Sequence, residues 1–343
     1  MKVYINARFL IQQITGVQQF AVEICRNLSN QNISFVLLAP KGTTCPKALS
    51  HLPFQQIGTA SGYIWEQIEL PSFLKKQGSP LLLNFCNTAP LLYSNQWITI
   101  HDLAFMHHPE WFNKSFAKVY RFLIPRIAKR SRKILTVSKT IQEQIKTLLG
   151  LDAEILYNGV AHDILFDSAK TTTRKNYILT VSSINPRKNL KTLIAAFEQA
   201  NLPNYELIVA GAANAVFGKE QLSVSSNILF TGYVNNAELI NLYKQAALFV
   251  SLSLDEGFGI PVLEALYLGC PVLLSDIAVY KECFDAVALF TSATNTPRVA
   301  KDIHAALNNP IIIKQNNPIF TEYNYGLSAK KLASLLTETH KKM

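Results

Sequence analysis

Residues 255–264 read DEGFGIPVLE, an acidic pair, two glycines around a phenylalanine, a proline and a second glutamate. Pro261 suits the first turn of a helix, because its ring fixes φ near the helical value and its missing N–H would have had no partner there. A short helix is expected from Pro261, since Gly269 stands where a left-handed C-terminal cap belongs and Pro271 follows where a helix cannot continue. Glu264 then falls in or near the first turn and Glu256 in the loop before it. Gly257 and Gly259 let the backbone approach a ligand closely, and the N–H groups of a helix start attract phosphate. Carboxylates accept hydrogen bonds from hydroxyls. The ligand class that suits all of these features carries both phosphates and hydroxyls, as a nucleotide sugar does. A purely local reading also accounts for the stretch, because the helix dipole favours glutamate near a helix start and Gly-Pro loops are common. The surrounding segments decide between the two.

Those segments alternate apolar, branched runs with helical periodicity, the pattern of strands and crossover helices in a parallel sheet, so the fold class is α/β. One series of expected strands covers 2–8, 33–39, 80–86, 97–101, 134–138 and 153–157. A second covers 177–182, 205–210, 228–231, 247–251 and 271–275, with helices at about 189–200, 236–246 and 261–268. Between them, NGVAHDILFDSAKTTTRKN at 158–176 lacks periodicity and is expected to be an interdomain hinge. Two domains follow, 1–165 and 166–322, with a last segment, 323–343. Ligands of open α/β sheets sit beyond the carboxyl ends of strands, which makes those ends the places to search.

The 343 residues are 49% hydrophobic and 16% charged, a globular composition. Neither a secretory leader pattern at MKVYINARFLIQQ nor an apolar run long enough to cross a bilayer is present, so a soluble or surface-bound chain is expected. The five cysteines are scattered without metal-like or C-x-x-C spacing, which fits reduced thiols in a cytoplasmic protein. With 33 Lys and Arg against 23 Asp and Glu, the formal charge of +10 calls for an anionic partner: a phosphorylated substrate, anionic lipid or nucleic acid. G-x-G-x-x-G after the first strand, G-x-x-x-x-G-K-[ST], G-x-S-x-G and paired D-x-D are all missing. Dinucleotide oxidoreductase, P-loop ATPase, α/β-hydrolase and metal-dependent sugar-transferase readings therefore lose support, and no metal site is expected.

Several strand ends carry chemistry. Arg187 and Lys188 follow the strand 177–182, where a planar fork and a point charge together can hold a diphosphate. His101 and Asp102 end the strand of QWITIHDLAF; His101 is placed either to exchange a proton or bond a sugar oxygen, or to act as a capping or core histidine. Gly16 in ITGVQQF either lets the chain pass close to a ligand or marks a turn. Trp65, Glu66 and Gln67, in GYIWEQIELP, stand near a cleft rim, suited to stacking on a sugar and equally to plain packing. Between 118 and 133 the residues Lys118, Arg121, Arg126, Lys129, Arg130, Arg132 and Lys133 occupy one half of a helical wheel, opposite Leu123, Ile124, Ile127 and Ala128. Such a helix is either simply solvated or suited to anionic head groups or a lipid diphosphate.

Taken in order, TGVQQF, TIHDLAF, ILTVSKTIQEQI, ILYNGV, VSSINPRKNLKTLIAAF, LIVAGA, ILFTGYV and SLDEGFGIPVLEALYLGCPVLLSDI resemble retaining glycosyltransferases of the group 1, or family 4, type across the whole chain. The resemblance implies the glycosyltransferase-B fold, two facing Rossmann-like domains with a cleft between them, the first binding acceptor and the second the nucleotide sugar. It implies that 323–343 forms a helix crossing back to the first domain. It further implies that Glu264 binds the ribose, that Glu256 contacts hydroxyls of the donor sugar, and that Arg187 and Lys188 neutralise the diphosphate. Backbone amides of Gly257, Phe258, Gly259 and Ile260 would assist, Val234 would stand by the base, His101 by the sugar's hydroxymethyl group, and Gly16 at the mouth of the cleft. His101, Arg187, Lys188 and Glu256 are thus the expected catalytic group, with Trp65, Lys118, Arg121, Arg126, Lys129 and Arg130 facing an acceptor or membrane. Where relatives often carry Gly-Arg-Tyr, this chain has Gln18-Gln19-Phe20.

The implied reaction moves a sugar, mannose favoured, from a nucleotide sugar to a glycan or lipid-linked oligosaccharide in bacterial surface polysaccharide (O-antigen or capsule) assembly. GDP-mannose is the favoured donor, UDP- and dTDP-sugars the competitors, and no cofactor is needed. The expected location is the cytoplasm, with peripheral contact at the anionic inner face of the plasma membrane. A nucleotide-sugar 2-epimerase shares the architecture but needs no lipid-facing basic helix. A nucleic-acid-binding protein would use the same helix and ignore nucleotide sugars; the sugar-transfer reading expects no nucleic-acid partner.

Overall fold

Runs such as VYIN at 3–6, LLLN at 81–84 and VLLS at 272–275 are buried along their whole length, as parallel strands covered by helices on both faces must be. A computed structural model describes residues 2–166, 173–211, 216–217, 220–221 and 225–341. The chain forms two units, Met1–Asn158 with Tyr323–Met343, and Gly159–Glu322.

The first unit is built on seven strands: β1 (Val3–Asn6), β2 (Phe35–Pro40), β3 (Phe54–Ile57), β4 (Leu81–Asn84), β5 (Gln96–Ile100), β6 (Lys133–Thr136) and β7 (Glu154–Ile155). All pair in parallel in the order β3-β2-β1-β4-β5-β6-β7. In the second unit the strands are β8 (Lys175–Val181), β9 (Glu206–Ala210), a short antiparallel pair β10 (Val216–Phe217) and β11 (Glu220–Gln221), β12 (Ile228–Gly232), β13 (Ala246–Ser251), β14 (Val272–Ser275) and β15 (Leu289–Thr291). Its main sheet is parallel, in the order β12-β9-β8-β13-β14-β15. In each sheet the chain first builds outward on one side of its opening strand and then returns to the other. Topological switch points therefore fall between β1 and β4 and between β8 and β13, the places where such sheets hold ligands.

The expected elements differ from the observed ones for physical reasons. The first strand stops at Asn6, because Arg8 begins a 3-10 turn, Arg8–Ile11. β3 lies outside the expected strands, because FQQI is half exposed at a sheet edge and presents no apolar run. β15, three residues long, is too short to show periodicity. The helix expected at 261–268 runs Ile260–Tyr267, and Gly269 adopts φ +77° beyond its end. Helix Leu190–Ala200 buries Leu190, Leu193, Ile194 and Phe197, the face its spacing predicts.

Of the polar segment 158–176, residues 167–172 lie outside the described ones. The passage between units falls after Asn158, because the residues just before it are tied into the first unit. Tyr325 OH donates to Asn158 Oδ1 at 3.3 Å and Ser328 Oγ to the Tyr157 carbonyl at 2.7 Å. Both donors lie on the helix Tyr325–Lys341, which packs against helix Gly16–Leu28 and buries Tyr325, Ala329, Leu332 and Leu336. Among the described residues no helix is long and apolar enough to cross a membrane.

All three tryptophans, Trp65, Trp97 and Trp111, belong to the first unit, so their fluorescence follows its unfolding. Leu332 is fully buried. Leu332→Ala is expected to lower the stability of that transition by about 2–5 kcal/mol, measured by urea denaturation.

Candidate functional site

The switch point of the second unit is charged. After β8, Asn185 accepts a hydrogen bond from its own turn, Arg187 N–H to Asn185 Oδ1 at 2.9 Å, and this starts the 3-10 turn Pro186–Lys188. After β13 the chain runs into the loop that carries Glu256. Leu254 N–H donates to the Arg187 carbonyl at 2.8 Å, which holds the two loops together. Lys188 Nζ donates to Glu256 Oε1, Ser253 Oγ donates to the same oxygen at 2.8 Å, and Arg187 Nη1 stands 3.9 Å from Glu256 Oε2. Residues 68 and 69 positions apart thus share one carboxylate that is only 8% exposed. Burial pushes the Glu256 carboxyl up, but Lys188 and then Arg187, with hydrogen bonds from Lys188 and Ser253, outweigh it and hold the group at about 2.

Gly259 takes φ +113° directly before helix Ile260–Tyr267, and a Cβ there would stand 2.8 Å from the Tyr280 ring. The glycine is therefore required by backbone conformation and by Tyr280 packing, whether or not a ligand comes near. Tyr280 in turn shares a 2.8 Å hydrogen bond with Ser251 at the end of β13. Glu264, 5% exposed, lies a full turn into the helix and takes a hydrogen bond from Tyr243 OH at 3.3 Å. Val234 is half-buried in the link between β12 and helix Asn236–Gln245, at the carboxyl end of an edge strand.

The remaining expected residues belong to the first unit. His101 directly follows β5 and is buried, its Nε2 2.7 Å from the Phe85 carbonyl and its ring 4.9 Å from Phe20, edge to face. Burial lowers its pKa, against smaller opposing effects of the Phe85 carbonyl and Asp102. A neutral imidazole facing a carbonyl through Nε2 carries its proton there, which leaves Nδ1 as the acceptor. Gly16 is exposed at the start of helix Gly16–Leu28 and lacks a positive φ; Thr15 N–H donates to Gln18 Oε1 at 3.1 Å, so Gln18 serves a helix cap.

Two expectations need correction. Trp65 is wholly buried and donates its indole N–H to the Ile57 carbonyl at 2.8 Å, so it offers no face to a ligand. The basic segment is not all helix: Lys114–Arg130 is helical, whereas Arg132 lies past its end and Lys133 begins β6. The buried side carries Ala117, Ile124, Ile127 and Ala128, and the solvent side carries Lys118, Arg121, Arg126, Lys129 and Arg130. Among those cations Val119 and Phe122 are 53% and 55% exposed, so that face is more apolar than the charge pattern implied. Residues that the sequence did not single out complete the acidic contacts. Ser253 stands three residues before Glu256, a readable spacing, whereas Tyr243 reaches Glu264 only through tertiary packing.

Because the folded-state pKa of Glu256 lies below its ordinary 4.5, the stability it contributes is fully present above about pH 4.5 and is lost as pH falls towards 2. Glu256→Gln has no such dependence. The stability gap between wild type and variant, about 3 kcal/mol at most near neutral pH, is expected to narrow between about pH 5 and pH 3 in denaturant titrations.

Comparison with known proteins agrees with this geometry. The family model "Glycosyl transferases group 1" matches residues 162–325, and "Glycosyltransferase Family 4" matches residues 14–164. The O-antigen chain mannosyltransferase RfbU of Salmonella typhimurium is 30% identical over 284 residues, 79% of this chain and 77% of that protein. O-antigen chain mannosyltransferase B of Escherichia coli is 24% identical over 231 residues, 62% of this chain and 61% of its own. Among solved structures, sucrose-phosphate synthase of Thermosynechococcus elongatus superposes with a TM-score of 0.76 at 13% identity, covering 100% of both chains, a likeness of fold. With a parallel-sheet α/β unit on either side of residue 158 and these two family matches, the chain belongs to the group 1 and family 4 glycosyltransferases, and it is a glycosyltransferase of the glycosyltransferase-B fold.

Proposed function

We propose that this glycosyltransferase moves mannose from GDP-mannose to a lipid-linked glycan during assembly of an O-antigen, with retention at the sugar carbon. The observation that carries the proposal is the Arg187–Lys188–Glu256 cluster at the carboxyl ends of β8 and β13. The relatives named as O-antigen chain mannosyltransferases support the sugar and the context.

In this reading Arg187 and Lys188 take the donor diphosphate and Glu264 takes the ribose hydroxyls. Amides of Gly257, Phe258, Gly259 and Ile260 approach the phosphates at the start of the helix, where its dipole favours negative charge. Glu256, charged throughout the physiological range, accepts hydroxyls of the sugar once the diphosphate competes for its cations. Val234 borders the base, and His101 Nδ1 accepts from the sugar's hydroxymethyl group. Charge grows on the leaving nucleoside diphosphate in the transition state. Fixed cations that meet it there lower the barrier, so Arg187 and Lys188 act on kcat as well as on binding. No side chain is assigned as nucleophile.

The solvent face of helix Lys114–Arg130 supports peripheral contact with an anionic membrane. An open groove of about 620 Å³ there is lined by Glu110, Lys114, Lys118, Arg121, Phe122 and Arg126, in which four cations outnumber one carboxylate and so suit head-group phosphates, with an aromatic ring for the acyl boundary.

Two outcomes follow. In a thermal-shift panel of nucleotide sugars, GDP-mannose is expected to give the largest shift and Glu264→Ala to abolish it with the circular dichroism unchanged; a larger shift with a UDP- or dTDP-sugar would overturn the donor. In vesicle sedimentation, binding to vesicles with about one-third phosphatidylglycerol is expected to exceed binding to neutral ones and to fall when Arg121 and Arg126 are both replaced by Glu.

A further inference from the structure

The switch point of the first unit, between β1 and β4, carries a different chemistry from that of the second. Asn6 ends β1 and Asn84 ends β4, and Asn6 Nδ2 donates to Asn84 Oδ1 at 3.0 Å. Beside them lies Glu66, on a π-helical turn, Trp65–Glu69, a geometry that recurs at functional sites. Three donors meet on one of its oxygens: Asn6 Nδ2 at 2.9 Å, Arg8 Nε at 3.1 Å and Thr88 Oγ1 at 3.1 Å, all to Oε1. Arg8 Nη2 also donates to Thr88 Oγ1 at 2.9 Å, which locks the set. Glu66 is 1% exposed and Arg8 7%.

The other carboxylate oxygen, Glu66 Oε2, is buried and has no hydrogen-bond partner among the described residues. A charged oxygen left so is costly, and a buried ion pair serving stability alone would be expected to satisfy both lone-pair sets. The arrangement is that of a carboxylate held rigid through one oxygen while the second is kept for another donor. Arg8 and Glu66 cancel in charge and the other members are neutral amides and a hydroxyl, so the cluster favours a hydroxyl donor over an anion. The Tyr63 ring lies over the Arg8 guanidinium at 4.6 Å and is 47% exposed. Its hydroxyl also shares a 3.0 Å hydrogen bond with Tyr120, and a ligand would reach the cluster by displacing this half-exposed ring.

From this geometry we infer that Glu66 binds a hydroxyl of the acceptor sugar through Oε2, and that Arg8, Asn6 and Thr88 are positioning residues that hold it for that contact. The inference rests on the sugar-transfer reading and assigns acceptor specificity to the first unit's switch point. A hydrogen bond to a charged group discriminates strongly, because the analogue lacking that hydroxyl leaves the carboxylate unpaired.

The test is saturation-transfer NMR with methyl glycosides of mannose, galactose, rhamnose and N-acetylglucosamine on wild type, Glu66→Gln and Glu66→Asp. Glu66→Asp keeps the charge that pairs Arg8 but withdraws the spare oxygen by about one carbon–carbon bond, so it remains informative if the Gln variant unfolds. At least one glycoside is expected to bind wild type and to weaken roughly tenfold or more in the folded variants. A monodeoxy analogue of that glycoside is expected to bind wild type and variants alike. Equal glycoside signals in all three proteins, or no signal above a non-binding control in wild type, would overturn the inference. The GDP-mannose thermal shift, recorded on the same samples, separates the cases. Its absence in wild type strikes the donor reading, whereas its persistence without any Glu66-dependent glycoside binding strikes only this inference.

Discussion

A carboxylate as buried as Glu256 keeps its charge only if cations stand against it, and much of the second unit's local structure serves that constraint. Lys188 and Arg187 supply the charge from one loop, Ser253 supplies a hydroxyl from the other, and the backbone bond from Leu254 to Arg187 fixes the spacing of the two. The pairing of β8 with β13 makes this possible, since it brings together two loops that lie far apart in the chain. A cluster assembled in this way is preorganised: its donors and charges are in place before any ligand arrives, which is the condition under which electrostatic groups stabilise a transition state most.

The two sheets solve the same topological problem with opposite chemistry. Each leaves a crevice where its strand order reverses, and each fills the rim of that crevice with buried polar side chains. In the second unit the set carries an excess of positive charge around Glu256, suited to phosphates. In the first unit Arg8 and Glu66 balance and the rest are neutral, suited to hydroxyls. On the proposed reading, a charged donor and a neutral sugar acceptor call for that division of labour. The fold supplies two crevices, and local sequence sets the polarity of each.

The solvent face of helix Lys114–Arg130 shows how charge and hydrophobicity separate on tertiary packing. The helix is anchored by Ile124, Ile127 and Ala128 in the first unit's core, and it leaves Phe122 and Val119 outward among arginines and lysines. Arg126 lies over the Phe122 ring at 3.5 Å and donates to the Phe122 carbonyl at 2.8 Å, so the cation and the ring are held as one surface feature.

The sequence by itself determined the α/β class, most strands, the helix between Pro261 and Gly269, and the loops that would carry chemistry. These follow from interactions a few residues apart: alternation of apolar runs, the fixed φ of proline, the left-handed cap of Gly269. The Arg187–Lys188 pair and Glu256 were each legible at a strand end for the same reason. What only the tertiary structure decided is which side chains meet. Trp65 became core because the Ile57 carbonyl offers its indole a partner, Tyr243 found Glu264, and Arg8 and Glu66 closed on each other at the rim of β1 and β4. Those pairings span 8, 21 and 58 residues, and the latter two depend on strand order, which no local periodicity encodes.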